Sequence, residues 1–102
     1  MATISIKKGD ALNVVETISG LSDLEGYTAK LYIYKKDGTQ VDIITGSSEG
    51  LVITYAIKND DSKEYPVGIL EFETKIFNDS DLVYTPSKGL LIVGNVINSN
   101  PS

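Results

Sequence analysis

Apolar and polar positions alternate with a period of two along most of this chain. In Gly26–Lys35, GYTAKLYIYK, Ala29, Leu31 and Ile33 fall on one face, and Lys30, Tyr32 and Tyr34 on the other. Successive strand side chains point to opposite sides, so the stretch reads as a strand with one buried face and one wetter, tyrosine-bearing face. Asp37-Gly38 between two apolar runs predicts a hairpin, because glycine takes the positive φ that the turn needs. The returning strand is Thr39–Thr45, and Gly46–Gly50 (GSSEG) reads as a connection. Leu51–Ile57 alternates again, with Leu51, Ile53, Tyr55 and Ile57 on one side. Val67–Phe77 does the same, with Leu70, Phe72 and Ile76 opposed to Glu71, Glu73 and Lys75. A short strand is expected at Leu82–Thr85, an interruption at Pro86–Gly89 and a last strand at Leu90–Ile97. Upstream, Thr3–Lys7 and Ala11–Ile18 are separated by Lys8-Gly9-Asp10.

No window keeps a helical period. The one helical piece expected is a single turn at Asp61–Tyr65, capped by Asn59 or Asp60 and stopped by Pro66. Short strands with turn signals every ~8–12 residues predict an all-β, immunoglobulin-like antiparallel β-sandwich of about seven to eight strands, a small barrel being the alternative. The domain is expected to span residues 1–97, with 98–102 as a frayed polar tail. A chain of 102 residues suffices for one core without staples.

Composition narrows function by exclusion. With no histidine and no cysteine, the chain has no His-based triad, no thiolate nucleophile and no imidazole or thiolate metal ligand. All nine basic residues are lysine, so the planar fork that clamps phosphate and reads guanine is missing, and a net charge of −5 repels a polyanion. Nucleic acid is not an expected partner. The apolar runs fall short of the ~20 residues of a membrane span, and the first residues lack the pattern of a secretory signal. Neither a membrane nor a cofactor is expected, and the reading is of a protein that is not an enzyme.

The most site-like stretch is Asn59–Gly68, NDDSKEYPVG. Calcium loops place carboxylates at alternating positions around an internal glycine. Here Asp60 and Asp61 are adjacent, Lys63 stands among the acids and no glycine falls inside, so the stretch reads as punctuation between strands. Asn78-Asp79-Ser80-Asp81 reads as a hairpin turn. Glu71 and Glu73 are neighbours on one strand face rather than a pair across a cleft, and read as solvated surface. The hairpin Tyr32–Thr45 is more informative. Tyr32 and Tyr34 project outward together, and tyrosine rings make favourable interface anchors. Ile43 and Ile44 are adjacent, so alternation sends them to opposite sides and one must lie outside the core. Tyr32, Tyr34, Ile43 and Ile44 are therefore the candidate partner interface.

The order of these pieces carries a resemblance. An opening IKKGD leads to ISGLSDLEG, then to TAKLYIYKKDGTQV and EGLVITYAI. An acidic turn ending in Pro-x-Gly follows, then GILEFETKIFNDSDLV and a closing GLLIVGNVI. This resembles small immunoglobulin-like domains of tailed-bacteriophage virion proteins, and is similar to the N-terminal domain of baseplate upper proteins and to related tail and head-fibre domains. Where that group carries an arginine near the end of the Thr-Ala strand, this chain has Tyr34 or Lys35, so no arginine contact is carried over. The resemblance implies a non-enzymatic structural or adaptor component of a phage particle (baseplate, tail or head accessory protein), located in the virion and assembled in the host cytoplasm. Its implied partners are other virion proteins and further copies of itself. The alternative is a carbohydrate-binding or adhesion module on a virion or bacterial surface.

Overall fold

The computed structural model describes residues 2–20, 24–78 and 81–94. Eight strands and one helical turn follow in chain order: β1 (Ala2–Lys7), β2 (Leu12–Thr17), β3 (Tyr27–Tyr34), β4 (Gln40–Thr45), β5 (Ser47–Glu49), β6 (Val52–Ile57), α1 (Asn59–Ser62), β7 (Gly68–Asn78) and β8 (Asp81–Gly94). They form a five-stranded sheet in the order β1-β8-β7-β3-β4 and a three-stranded sheet in the order β2-β6-β5. The fold is an all-β sandwich.

The alternation seen in the sequence sets which residues meet between the sheets. Leu31 and Ile33 of β3, Leu70, Phe72 and Ile76 of β7, and Leu91 and Val93 of β8 face inward from the large sheet. Ile53, Tyr55 and Ile57 of β6 face them from the small one, and all join one buried cluster. Gly38, at φ 92°, closes the β3–β4 hairpin as the Asp-Gly signal requires, with its N–H donated to the Lys35 carbonyl at 2.9 Å.

Four expectations are corrected. First, the sandwich is not wholly antiparallel: β1 runs parallel to β8, with Ala2 opposite Gly89 and Lys7 opposite Gly94. Second, the two strands expected around Pro86–Gly89 are one strand, β8. Pro86 lies where the register with β7 shifts between Thr74 and Ile76 and where β1 does not reach, so its missing N–H is tolerated there. Third, the GSSEG connection contains a strand, β5, which pairs with β6. Fourth, the helical turn is Asn59–Ser62 and its cap is Lys58, not Asn59 or Asp60. Asp61 reaches back to accept the Lys58 N–H at 3.1 Å, and the buried Ser62 hydroxyl donates to the Asp10 carbonyl at 2.6 Å. The turn is thereby tied to the β1–β2 loop, which propensity alone does not specify. The expected tail at 98–102, Ile97 and the middle of the expected Asn78–Asp81 turn lie outside the described residues.

Candidate interaction surface

Three central strands of the large sheet build its outer face by alternation. Tyr32 stands opposite Ile43 on β4 and Glu73 on β7, and Glu73 in turn stands opposite Lys88 on β8. The next row places Tyr34 beside Glu71 and Leu90, and the row on the other side places Lys30 beside Lys75.

Within these rows the side chains hold one another in place. The rings of Tyr32 and Tyr34 are parallel, 8° apart in plane, with centroids separated by 6.2 Å. Lys75 Nζ lies 4.9 Å from the Tyr32 ring centroid and 3.1 Å from Glu73 Oε1. That is the geometry of a cation over an aromatic quadrupole, with a carboxylate holding the cation there. The Tyr34 hydroxyl donates to the same Glu73 oxygen at 3.4 Å. Phe77 closes the row, tilted against Tyr32 at 6.5 Å. Partial burial lifts the Tyr34 phenol above its ordinary pKa, with Lys75 opposing and Glu73 adding to the lift. The hydrogen bond to Glu73 holds the Lys75 ammonium above its ordinary value. Tyr32 and Tyr34 are therefore half-buried and pre-ordered, and their rotamer freedom is reduced before any partner arrives.

The adjacent isoleucines separate as alternation demands. Ile43 is 39% exposed on the outer face and Ile44 is 9% exposed in the core. Of the four candidate residues, the structure brings Tyr32, Tyr34 and Ile43 together and places Ile44 on the inside. Beside Tyr34 a shallow groove of about 410 Å³ is lined by Gly38, Glu71, Glu73, Lys88 and Leu90.

The acidic loop divides its carboxylates among separate tasks. Asp60 pairs with the exposed Lys63 at 3.3 Å, while Asp61 receives the Lys58 N–H. Among the described residues no group of three or more acidic side chains is placed to hold a metal ion.

Two polar arrangements escaped the sequence reading. Glu16 sits in phase with Leu12 and Val14 on the inner side of β2. Its carboxylate accepts hydrogen bonds from the Tyr55 hydroxyl at 3.0 Å, from Thr74 Oγ1 at 3.3 Å and from the Ser87 hydroxyl. Tyr65, 2% exposed, donates its hydroxyl to Asp42 Oδ2 at 2.6 Å. An acid falling on the apolar phase of a strand is the signal that marks Glu16. Tyr65 carries no such mark, because its partner lies on a strand of different phase far along the chain. No family model matches this chain, and no curated protein shows significant similarity to it.

Proposed function

We propose that this protein is a non-enzymatic adaptor or structural component of a tailed-phage particle, working through protein–protein contacts made by the outer face of its large sheet. The observation that carries the reading is the ordered pair Tyr32 and Tyr34, flanked by the exposed Ile43. A pre-ordered aromatic pair loses little further entropy on docking, and an apolar neighbour adds area to be covered. Charge favours the same face. Lys30, Lys75 and Lys88 outnumber Glu71 and Glu73 there, on a chain whose net charge is −5. An acidic molecule meets a partner most easily where its own acid is neutralised. The two packed, mostly antiparallel sheets are compatible with the immunoglobulin-like assignment on which the phage setting rests.

The test is a Tyr32→Ala, Tyr34→Ala double variant, examined by sedimentation and by binding to disrupted virions. It is expected to keep its far-UV spectrum and to lose particle binding or self-association by roughly tenfold or more, the scale of interface anchor residues. Unchanged binding would leave the tyrosine pair as sheet packing only. A glycan-binding reading draws on the groove that Tyr34 lines together with Glu71, Glu73 and Lys88. A glycan array separates the two, since an adaptor gives no saturable signal on it.

A further inference from the structure

The narrow sheet leaves one rim of the sandwich open. Through Glu16, β2 lies over β7 and β8, the strands of Thr74 and Ser87. Among the described residues, the next strand of the large sheet, β1, therefore has no strand opposite it. Beneath it runs a cleft of about 320 Å³, lined by Ile4, Leu12, Val14, Phe72, Thr74 and Glu16.

The free edge of β2 is ready for such a strand. The Ile18 N–H bonds to the Leu51 carbonyl at 2.8 Å, which sets the phase of the β2–β6 ladder. In an antiparallel ladder bonded residues alternate, so Leu12, Val14 and Glu16 bond to β6, while the backbones of Asn13, Val15 and Thr17 face outward. The other edges are guarded. On β4, the Asp42 carboxylate accepts the outward N–H of its own neighbour Ile43 at 2.9 Å, and a register shift faces Tyr34. β5 is three residues long and ends in Glu49, and β1 ends in Lys7 followed by Lys8. The edge of β2 has no lysine, no proline and no bulge, and Val15 on it is 60% exposed.

We infer that this edge accepts an extended strand of another polypeptide, which adds to the small sheet beside β2 and fills the cleft under β1. Strand addition draws affinity from main-chain bonds and specificity from alternate side chains. The bonds come from Asn13, Val15 and Thr17. The inward side chains of the guest meet Ile4, Leu12 and Val14 and must be apolar. At one position they face Glu16, whose three hydroxyl partners are neutral and which, among the described residues, has no lysine within ion-pairing distance. The guest that complements it carries a basic side chain there. A second copy of β2 does not supply it, because Leu12–Thr17 (LNVVET) carries no basic residue and would set one Glu16 against apolar or acidic side chains of the other.

The probe is a short capped peptide of alternating threonine and valine with one lysine in the groove-facing set, compared with a norleucine analogue. Titration calorimetry is expected to show saturable binding, weakened roughly fivefold by norleucine. Hydrogen exchange is expected to slow selectively at the Asn13, Val15 and Thr17 amides. Glu16→Gln should erase the preference for lysine. Val15→Pro, which removes an outward N–H without touching the β6 ladder, should abolish binding. Should that variant not fold by far-UV spectrum, Val15→Lys carries the same test as an edge guard. The Tyr32→Ala, Tyr34→Ala variant should bind the peptide normally, so this surface and the tyrosine face stand or fall separately. The inference is overturned by absence of saturable binding to the wild-type chain or by protection at other amides. Concentration-dependent protection of the edge without peptide would overturn it too, by assigning the edge to a second copy.

Discussion

At the scale of single residues, the tyrosines divide the labour. Tyr32 and Tyr34 face outward, whereas Tyr55 and Tyr65 are buried, each with its hydroxyl on a carboxylate. Burial, reinforced by the bond to Asp42, pushes the Tyr65 phenol well above its ordinary pKa of 10.0. The sign follows from linkage. A pKa raised on folding means that the folded state keeps its proton where the unfolded state has lost it. The stabilisation is then complete below pH 10.0 and is lost as pH rises from there through the folded value. Unfolding free energy from urea titrations should fall above that pH by up to ~1.4 kcal/mol per unit for this group. Tyr65→Phe should flatten that slope and lower stability at neutral pH by roughly 1–3 kcal/mol, because Asp42 loses its donor. An unchanged alkaline slope would place the titration elsewhere. Alternation had marked Tyr32 and Tyr34, but the Tyr65 partnership joins a loop to the inward side of β4, a meeting that no local pattern encodes.

Elements were legible where one face is apolar and the other polar. The phases of β3, β6 and β7 follow from their sequences, and the Asp-Gly hairpin lies where its chemistry demands. β5 was missed because Ser47, Ser48 and Glu49 are all exposed and carry no alternation. It forms because β6 offers an edge, so it is made by its neighbour rather than by its own residues. Gly46, just before it, has a steric role that its place in the GSSEG connection does not signal. A Cβ there would stand 2.6 Å from Ile53 Cγ2 and 2.8 Å from Tyr55 Cε1, both on buried side chains. Gly46→Ala should therefore cost roughly 1–3 kcal/mol, the range for overpacking a filled core. Chemical denaturation measures it, and a loss within a few tenths of a kcal/mol would mean that β4 and β6 can part slightly at no cost. The candidate surface was half legible. Alternation required one of Ile43 and Ile44 to be outside, but which one depended on the register with β3.

For the molecule as a whole, charge and connectivity matter more than any one contact. The chain carries fourteen acidic residues against nine lysines, yet Asp60 and Asp61 in the 58–64 loop are engaged separately, by Lys63 and by the Lys58 N–H. Millimolar calcium should then shift the melting temperature no further than sodium chloride of equal ionic strength, because it acts by screening alone. A site filled a hundredfold above its Kd would instead add ~2.7 kcal/mol, several degrees for a domain of this size. A thermal melt in the two salts decides it. The parallel β1–β8 pairing was the feature of the fold least legible in the sequence, since partner choice between strands so far apart depends on the whole topology.

That pairing has a consequence for how the protein comes into being. Among the described residues, β1 pairs with Gly89–Gly94, the last segment of β8 and more than eighty residues further along the chain. On a ribosome adding ~5–20 residues per second, β1 waits several seconds for its partner to be made. Until that segment emerges, Ile4 and Ile6 have no sheet to join, and the nascent chain is a set of local hairpins awaiting closure. Topologies dominated by such distant pairings fold in milliseconds to seconds, slower than those built from neighbours. The β1–β8 zipper thus closes after the local hairpins of this sandwich, and a chain cut short before Gly89 would leave the apolar β1 for chaperones or proteases to find.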